Sequence, residues 1–234
     1  MTEAYTLSQG DKNFPERLSL FLGNKCPRKI SFRGNLNLLD RAGLGFCGSR
    51  KATELGLEMA TDFANFAVEN DITVISGNAS GVDFATHHAA LASGGSTIMV
   101  LPEGMNHFTI KKGLKEVWDW ERVLVISQFN DNAPWRAYQA MERNKLIITL
   151  SSTVIVIEAG EKGGTFNAGV ETLKFGIPLF VSGDLTIGNQ FLLESGGLKV
   201  ATRSSSPKVD MSVILEAIRS DKGLSMLAVQ ESLF

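Results

Sequence analysis

Cysteine is scarce in this sequence: Cys26 and Cys47 stand alone among 234 residues, and neither belongs to a CxxC or Cys/His pair. That spacing speaks against a disulfide framework and against a zinc site, and it suits a reducing cytoplasm. An excess of charge is lacking as well. With 23 Lys and Arg against 25 Asp and Glu the formal net charge is -2, so no global field draws the chain to DNA or to an anionic membrane. Any nucleic-acid site must be a local patch. No apolar run approaches the ~18 residues of a membrane span, and the opening MTEAYTLSQGDKNF lacks a basic start followed by an apolar block. A cytosolic protein without a membrane partner is expected. Walker A, G-x-S-x-G and metal-ligand patterns are also missing, which leaves no evident nucleophile and no cofactor to assign.

The composition that is present is ordinary for a globular chain, 44% hydrophobic and 21% charged, with length for one main core. Short β-branched or apolar runs recur: GLGFCG, ITVIS, STIMVL, RVLVIS, TVIVIEA and IPLFVS. Each is followed by a small-residue loop and, in most cases, a stretch of helical period. That alternation predicts an α/β, doubly wound, mostly parallel sheet of about six strands with helices on both faces. Leu57, Ala60, Phe63, Ala64 and Ala67 fall at helical spacing behind Thr53, a plausible N-cap. Further helices are expected at about 82–92, 109–118, 134–150 and 166–175. Residues 1–40 read as an extension packed on the core, 41–200 as the Rossmann-like domain, and 201–234 as a linker, a short helix and a tail.

Ligands of such sheets bind beyond the carboxyl ends of the strands, so the loops there carry the functional argument. Gly43, Gly45 and Gly48 spell G-x-G-x-x-G, but a dinucleotide fingerprint lies after its strand, whereas here Leu44 to Cys47 must be the strand. Directly after that strand comes Gly48-Ser49-Arg50, a turn with N–H groups, a hydroxyl and a guanidinium suited to phosphate. The next loop brings Ser76, Gly77, Ser80 and Gly81 to the same edge. His87 and His88 read as one satisfied buried ring and one solvated ring, and Lys111, Lys112 and Lys115 as a solvated face. In APWRAYQAMERNKLI, aromatics and cations interleave, giving Arg143, Asn144 and Lys145 beside rings on which bases can stack. Finally VIVIEAGEKGGTFNAG ends a strand at Glu158 and offers Gly163, Gly164 and Thr165 at a helix start, where N–H groups and dipole favour an anion. Donors without a nucleophile favour binding over catalysis.

Taken in order, FPERL, GNLNLL, GFCGSR, SGNASGVDFATHHAAL, GGSTIMVLPEG, ERNKLIITLSSTVIVIEAGEKGGTFNAG, GIPLFV and GNQFLLESGG resemble the DNA-processing protein A (DprA, or Smf) family. The resemblance implies an extended Rossmann-like fold, single-stranded DNA binding, a homodimer, and a role in transformation and recombination by loading the RecA recombinase. It maps the family's GSR arginine onto Arg50, its SG-x-A-x-G-[IV]-D turn onto Ser76 to Asp83, its RN-[RK] onto Arg143 to Lys145, and its EA…SG-[ST] loop onto Glu158, Ala159, Gly163, Gly164 and Thr165. Ser80 stands where the family usually has Arg, and Met141-Glu142 where it commonly has Phe-Pro. An alternative is a nucleotide enzyme or sensor of the phosphoribohydrolase kind, with Glu158 as acid or base and Glu171 six residues past Thr165 rather than three. At the far end, Gln230-Glu231-Ser232-Leu233-Phe234 resembles the Q-x-[SD]-L-F peptide by which bacterial proteins dock on the sliding clamp, with Gln230, Leu233 and Phe234 as anchors. A clamp-associated adaptor with reduced DNA binding is the third reading.

Overall fold

The computed structural model describes residues 3–183, 186–200 and 211–221. Its centre is a nine-stranded sheet in the order β1-β2-β6-β5-β4-β3-β7-β8-β9. All six apolar runs form strands: β3 (Gly43–Gly48), β4 (Thr73–Gly77), β5 (Thr97–Val100), β6 (Val123–Ser127), β7 (Thr153–Ile157) and β8 (Leu179–Ser182). They run parallel to one another. Burial on both faces explains why they read as unbroken apolar runs. Adjacent residues divide between the faces: Val154 and Val156 enter one core, Ile155 and Ile157 the other.

The expected count of six strands falls short by β1 (Tyr5–Ser8), β2 (Lys29–Gly34) and β9 (Leu198–Val200). Strands β1 and β2 add antiparallel at the β6 edge, so that two segments of the first 40 residues extend the sheet itself. β9 pairs parallel with β8 at the other edge.

Helix α1 (Glu16–Leu22), α4 (Ala137–Leu150) and α5 (Gly164–Lys174) contribute to one core, together with Leu192 of α6 (Ile187–Glu194). The other face carries α2 (Glu54–Glu69), α3 (Val82–Ala92) and α7 (Ser212–Arg219). The helix expected at 109–118 is absent; that stretch holds only a 3-10 turn at Lys112–Leu114. Gly113 packs against Phe84, and the apolar spacing instead serves a satellite core, where Trp120 meets Phe108 and Trp118 edge to face and Phe108 lies tilted against Trp118. No described helix is long and apolar enough to cross a membrane.

The strand order places the site. The chain winds from β3 through β4 and β5 to β6, then returns to lay β7 on the opposite side of β3. The loops after β3 and β7 therefore part in opposite directions and leave a crevice between them, the switch point at which such sheets take ligands.

Candidate functional site

A cleft of about 430 Å³ occupies that switch point, lined among others by Ser49, Arg50, Trp135, Arg143, Asn144, Lys162, Gly164 and Thr165. Its floor is built from α4. Arg143 is buried, and its guanidinium lies in the space that a Cβ on Gly77 would need. The nearest carboxylate oxygen is Oδ2 of Asp83, 3.8 Å from Arg143 Nη2, too long for a hydrogen bond. Arg143 Nε is buried without a hydrogen-bond partner among the described residues. Asp83 is meanwhile held by Ser76 Oγ at 2.9 Å and by the backbone N–H of Ala79 at 3.0 Å. The floor thus carries a desolvated cation whose Nε donor is not met by any of the described residues.

The walls come from the turns after β3, β4 and β7. Arg50 is exposed, and its guanidinium carbon stands 5.7 Å from the Trp135 ring centre, a cation–π distance. Ser49 donates its backbone N–H to Ile157, and its hydroxyl accepts from Lys51 N, which fixes the turn. The β4–α3 turn lies directly on it: Gly81 has φ +72, and a Cβ there would strike the Ser49 carbonyl, so glycine alone fits both the backbone and the contact. Ser80 is exposed and donates to the Arg50 carbonyl at 3.3 Å. Across the cleft, Gly163 with φ +113 caps α5 without a side-chain hydrogen bond. The first N–H groups of α5 therefore stay available to an anion. Asn144 donates Nδ2 to the Gly164 carbonyl at 3.3 Å and ties α4 to this turn.

The structure brings Gly48, Ser49, Arg50, Arg143, Asn144, Gly164 and Thr165 together around the cleft. Others of the expected binding residues stand elsewhere. Ser76 is fully buried under Asp83, and Gly77 serves the packing of Arg143. Gly48, although at the cleft, is closely backed by Val82. Lys145 lines a separate groove of about 370 Å³ between α4 and α5, with Ile148, Asn167 and Lys174. Lys162 is exposed at the cleft, a cation not singled out beforehand although it adjoins Gly163 in the same loop. Gln230, Leu233 and Phe234 lie outside the described residues.

Three further groups gain definite roles. Glu158, at φ +54, accepts from the backbone N–H of Thr53 at 2.8 Å and from its hydroxyl, so its carboxylate anchors the N-terminus of α2. Lys111 is not a solvated cation: its Nζ donates to the carbonyls of Asn78 and Ala79, both at 2.8 Å, and burial lowers its pKa against the pull of Asp83 and Glu103. Lys112 and Lys115 are exposed. His87 is buried, with Nε2 2.7 Å from the Gly77 carbonyl and Nδ1 2.6 Å from Thr97 Oγ1. A carbonyl only accepts, so the neutral ring carries its proton on Nε2, while the single Thr97 hydroxyl proton is shared between Nδ1 and the Val74 carbonyl at 2.9 Å. Burial pushes its pKa down to about 4. His88 is exposed and stacks on Phe84. Among the described residues no group of three or more His, Cys, Asp or Glu is placed to hold a metal.

Fold and cleft together define a Rossmann-like α/β protein whose switch-point cleft offers cations and backbone donors. The sequence profile of one such family, DNA recombination-mediator protein A, matches residues 5–202. The chain belongs to that family. The DNA processing protein DprA of Streptococcus pneumoniae is 29% identical over 184 residues, which make up 76% of this chain and 64% of that protein. The chain thus spans just under two thirds of that relative. The X-ray structure of the pneumococcal protein superposes with a TM-score of 0.76 at 27% identity, over 86% of this chain and 72% of that one. The Helicobacter pylori protein, whose single-stranded DNA binding mode has been described structurally, superposes with a TM-score of 0.74 at 26% identity, over 85% and 93%.

Proposed function

We propose that this chain is a non-catalytic single-stranded DNA-binding protein that grips the phosphate backbone in the switch-point cleft. The observation that carries the reading is Arg143: a buried guanidinium on the cleft floor, with Nε unpartnered and its nearest carboxylate oxygen 3.8 Å away. An incoming phosphate supplies acceptors to a cleft-lining guanidinium that the described residues leave short of them. Arg50 and Lys162 on the walls, and the uncapped N-terminus of α5, add charge and donors in line with it. Membership in a recombination-mediator family and the likeness to a single-strand-binding relative support the same reading. The enzyme alternative would use Glu158, which lines the cleft but is already engaged by Thr53, and this favours binding.

Anisotropy with labelled oligo-dT across a salt series tests the grip. Arg50→Ala and Lys162→Ala are each expected to weaken binding and to flatten the slope of log affinity against log salt by about 0.7 per lost phosphate contact. Unchanged affinity and slope in both variants would remove the cleft from consideration, and duplex bound as tightly as single strand would contradict the family reading.

The wider role is taken from the family: a cytoplasmic homodimer that hands the bound strand to a RecA-type recombinase. A sliding-clamp contact through Gln230, Leu233 and Phe234 is proposed on sequence pattern alone. Immobilised clamp should retain the full chain and lose a chain ending at Val229, with DNA affinity the same for both. Equal retention would exclude the peptide.

A further inference from the structure

The cleft has two chemically different sides. On one stand Lys162 and the first turn of α5. On the other, the residue before α4 and the helix's first turns leave Trp135 50%, Tyr138 61% and Met141 49% exposed. None of these three belongs to the hydrophobic cores among the described residues, so packing does not account for them. Trp135 and Met141 line the cleft itself. Trp135 is steadied by the Arg50 guanidinium at 5.7 Å and still keeps half of its surface open. The other two tryptophans, Trp118 and Trp120, are partly buried against the satellite core.

We propose that Trp135, seconded by Tyr138, is a base-stacking rim: the strand lies with its phosphates toward Arg50, Lys162 and α5 and turns its unpaired bases onto α4. This rests on the single-strand reading of the cleft and adds a direction to it. A nucleotide has a charged edge and an apolar face, and the two sides of the cleft match them in turn. Stacking on an aromatic tolerates any base because every base has a π-face. It also requires that the base be unpaired, so the rim discriminates against duplex where phosphate contacts alone do not. Arg50 serves both sides, meeting the backbone with its charge and holding the ring by its plane.

The test compares oligo-dT with the same oligonucleotide carrying a single abasic site stepped along its length, bound to the wild type, Trp135→Ala, Trp135→Phe and Tyr138→Ala. Trp135→Ala should lose about 5- to 100-fold in affinity with the salt slope unchanged, and Trp135→Phe should keep most of it. At one position the abasic site should cost the wild type a similar factor and cost Trp135→Ala nothing further. An abasic penalty equal in both proteins, or wild-type affinity in Trp135→Ala, would overturn the rim while the salt dependence still upheld the grip. If Trp135→Ala instead dissociated a dimer at unchanged affinity, the rim would be a contact between copies and the proposal would fall. Absence of salt-dependent binding to any oligonucleotide would overturn the single-strand reading and the rim with it.

Discussion

Arg17→Ala is expected to destabilise the fold by about 3–5 kcal/mol, more than any substitution in the cleft walls. Arg17 is buried, and its guanidinium reaches three separate acceptors. Nε donates to the Thr149 carbonyl at 2.8 Å, Nη2 to the Ser151 carbonyl at 2.6 Å, and Nη1 to Asp221 Oδ2 at 2.7 Å. The first two acceptors belong to the end of α4 and the turn that leads into β7; the third lies just past α7. Alanine removes the donors and leaves buried acceptors, one of them a carboxylate, short of partners, which costs far more than an ordinary hydrogen bond contributes. The ring of Phe21, 5.1 Å from the guanidinium carbon, loses its cation as well. Urea unfolding followed by circular dichroism measures the change. A loss below about 1 kcal/mol, the range of a surface ion pair, would show that the network contributes little. Lys in place of Arg17 should recover only part of the loss, because a point charge cannot serve three acceptors arranged around a planar fork.

Stability should also fall between about pH 6.5 and pH 4, and a good part of that fall should trace to His87. Buried against the Gly77 carbonyl and Thr97, with Asp83, Lys111 and Arg143 around it, the ring stays neutral until about pH 4, against an unfolded value of ~6.5. The unfolded chain therefore binds the proton first as pH drops. The contribution is fully present above pH ~6.5 and is lost as pH falls toward 4, for a total of roughly 3 kcal/mol. His87→Gln keeps an N–H for the Gly77 carbonyl and has no proton to gain. It should flatten the stability profile over that window, while the carboxylates continue to titrate in both proteins. Parallel profiles for wild type and His87→Gln would show that the ring is not held neutral.

Much of the molecule was legible from local pattern. The six parallel strands announced themselves because burial on both faces demands apolar residues at every position. α3 fell at its expected bounds, and α4 and α5 within a few residues of theirs. The three missed strands are edge strands, or pair at an edge, and are short or flanked by charge: YTLS, KISFRG and LKV. Their pairing is set by which neighbour the sheet offers and not by their own period. The false helix at 109–118 failed for a related reason, since Ile110, Leu114 and Val117 satisfy a satellite core as readily as a helix face.

The cleft shows the same division. The residue types that surround it, Gly48-Ser49-Arg50, Arg143-Asn144 and Gly163-Gly164-Thr165, are written in the chain. By itself the sequence determined the α/β class and the family, and it pointed to the loops beyond the strand ends as the place to look for a ligand, because strand burial, loop chemistry and motif order are local properties. Only the tertiary structure decided that Arg143 is buried with its Nε unpartnered among the described residues, that Ser76 and Gly77 serve the floor, that Glu158 holds Thr53, the N-cap of α2, and that Lys145 faces another groove. Those assignments depend on which side of β3 receives β7 and on how α4 leans across the strand ends. Desolvation and partnering are properties of neighbours distant in sequence, and no residue carries them alone.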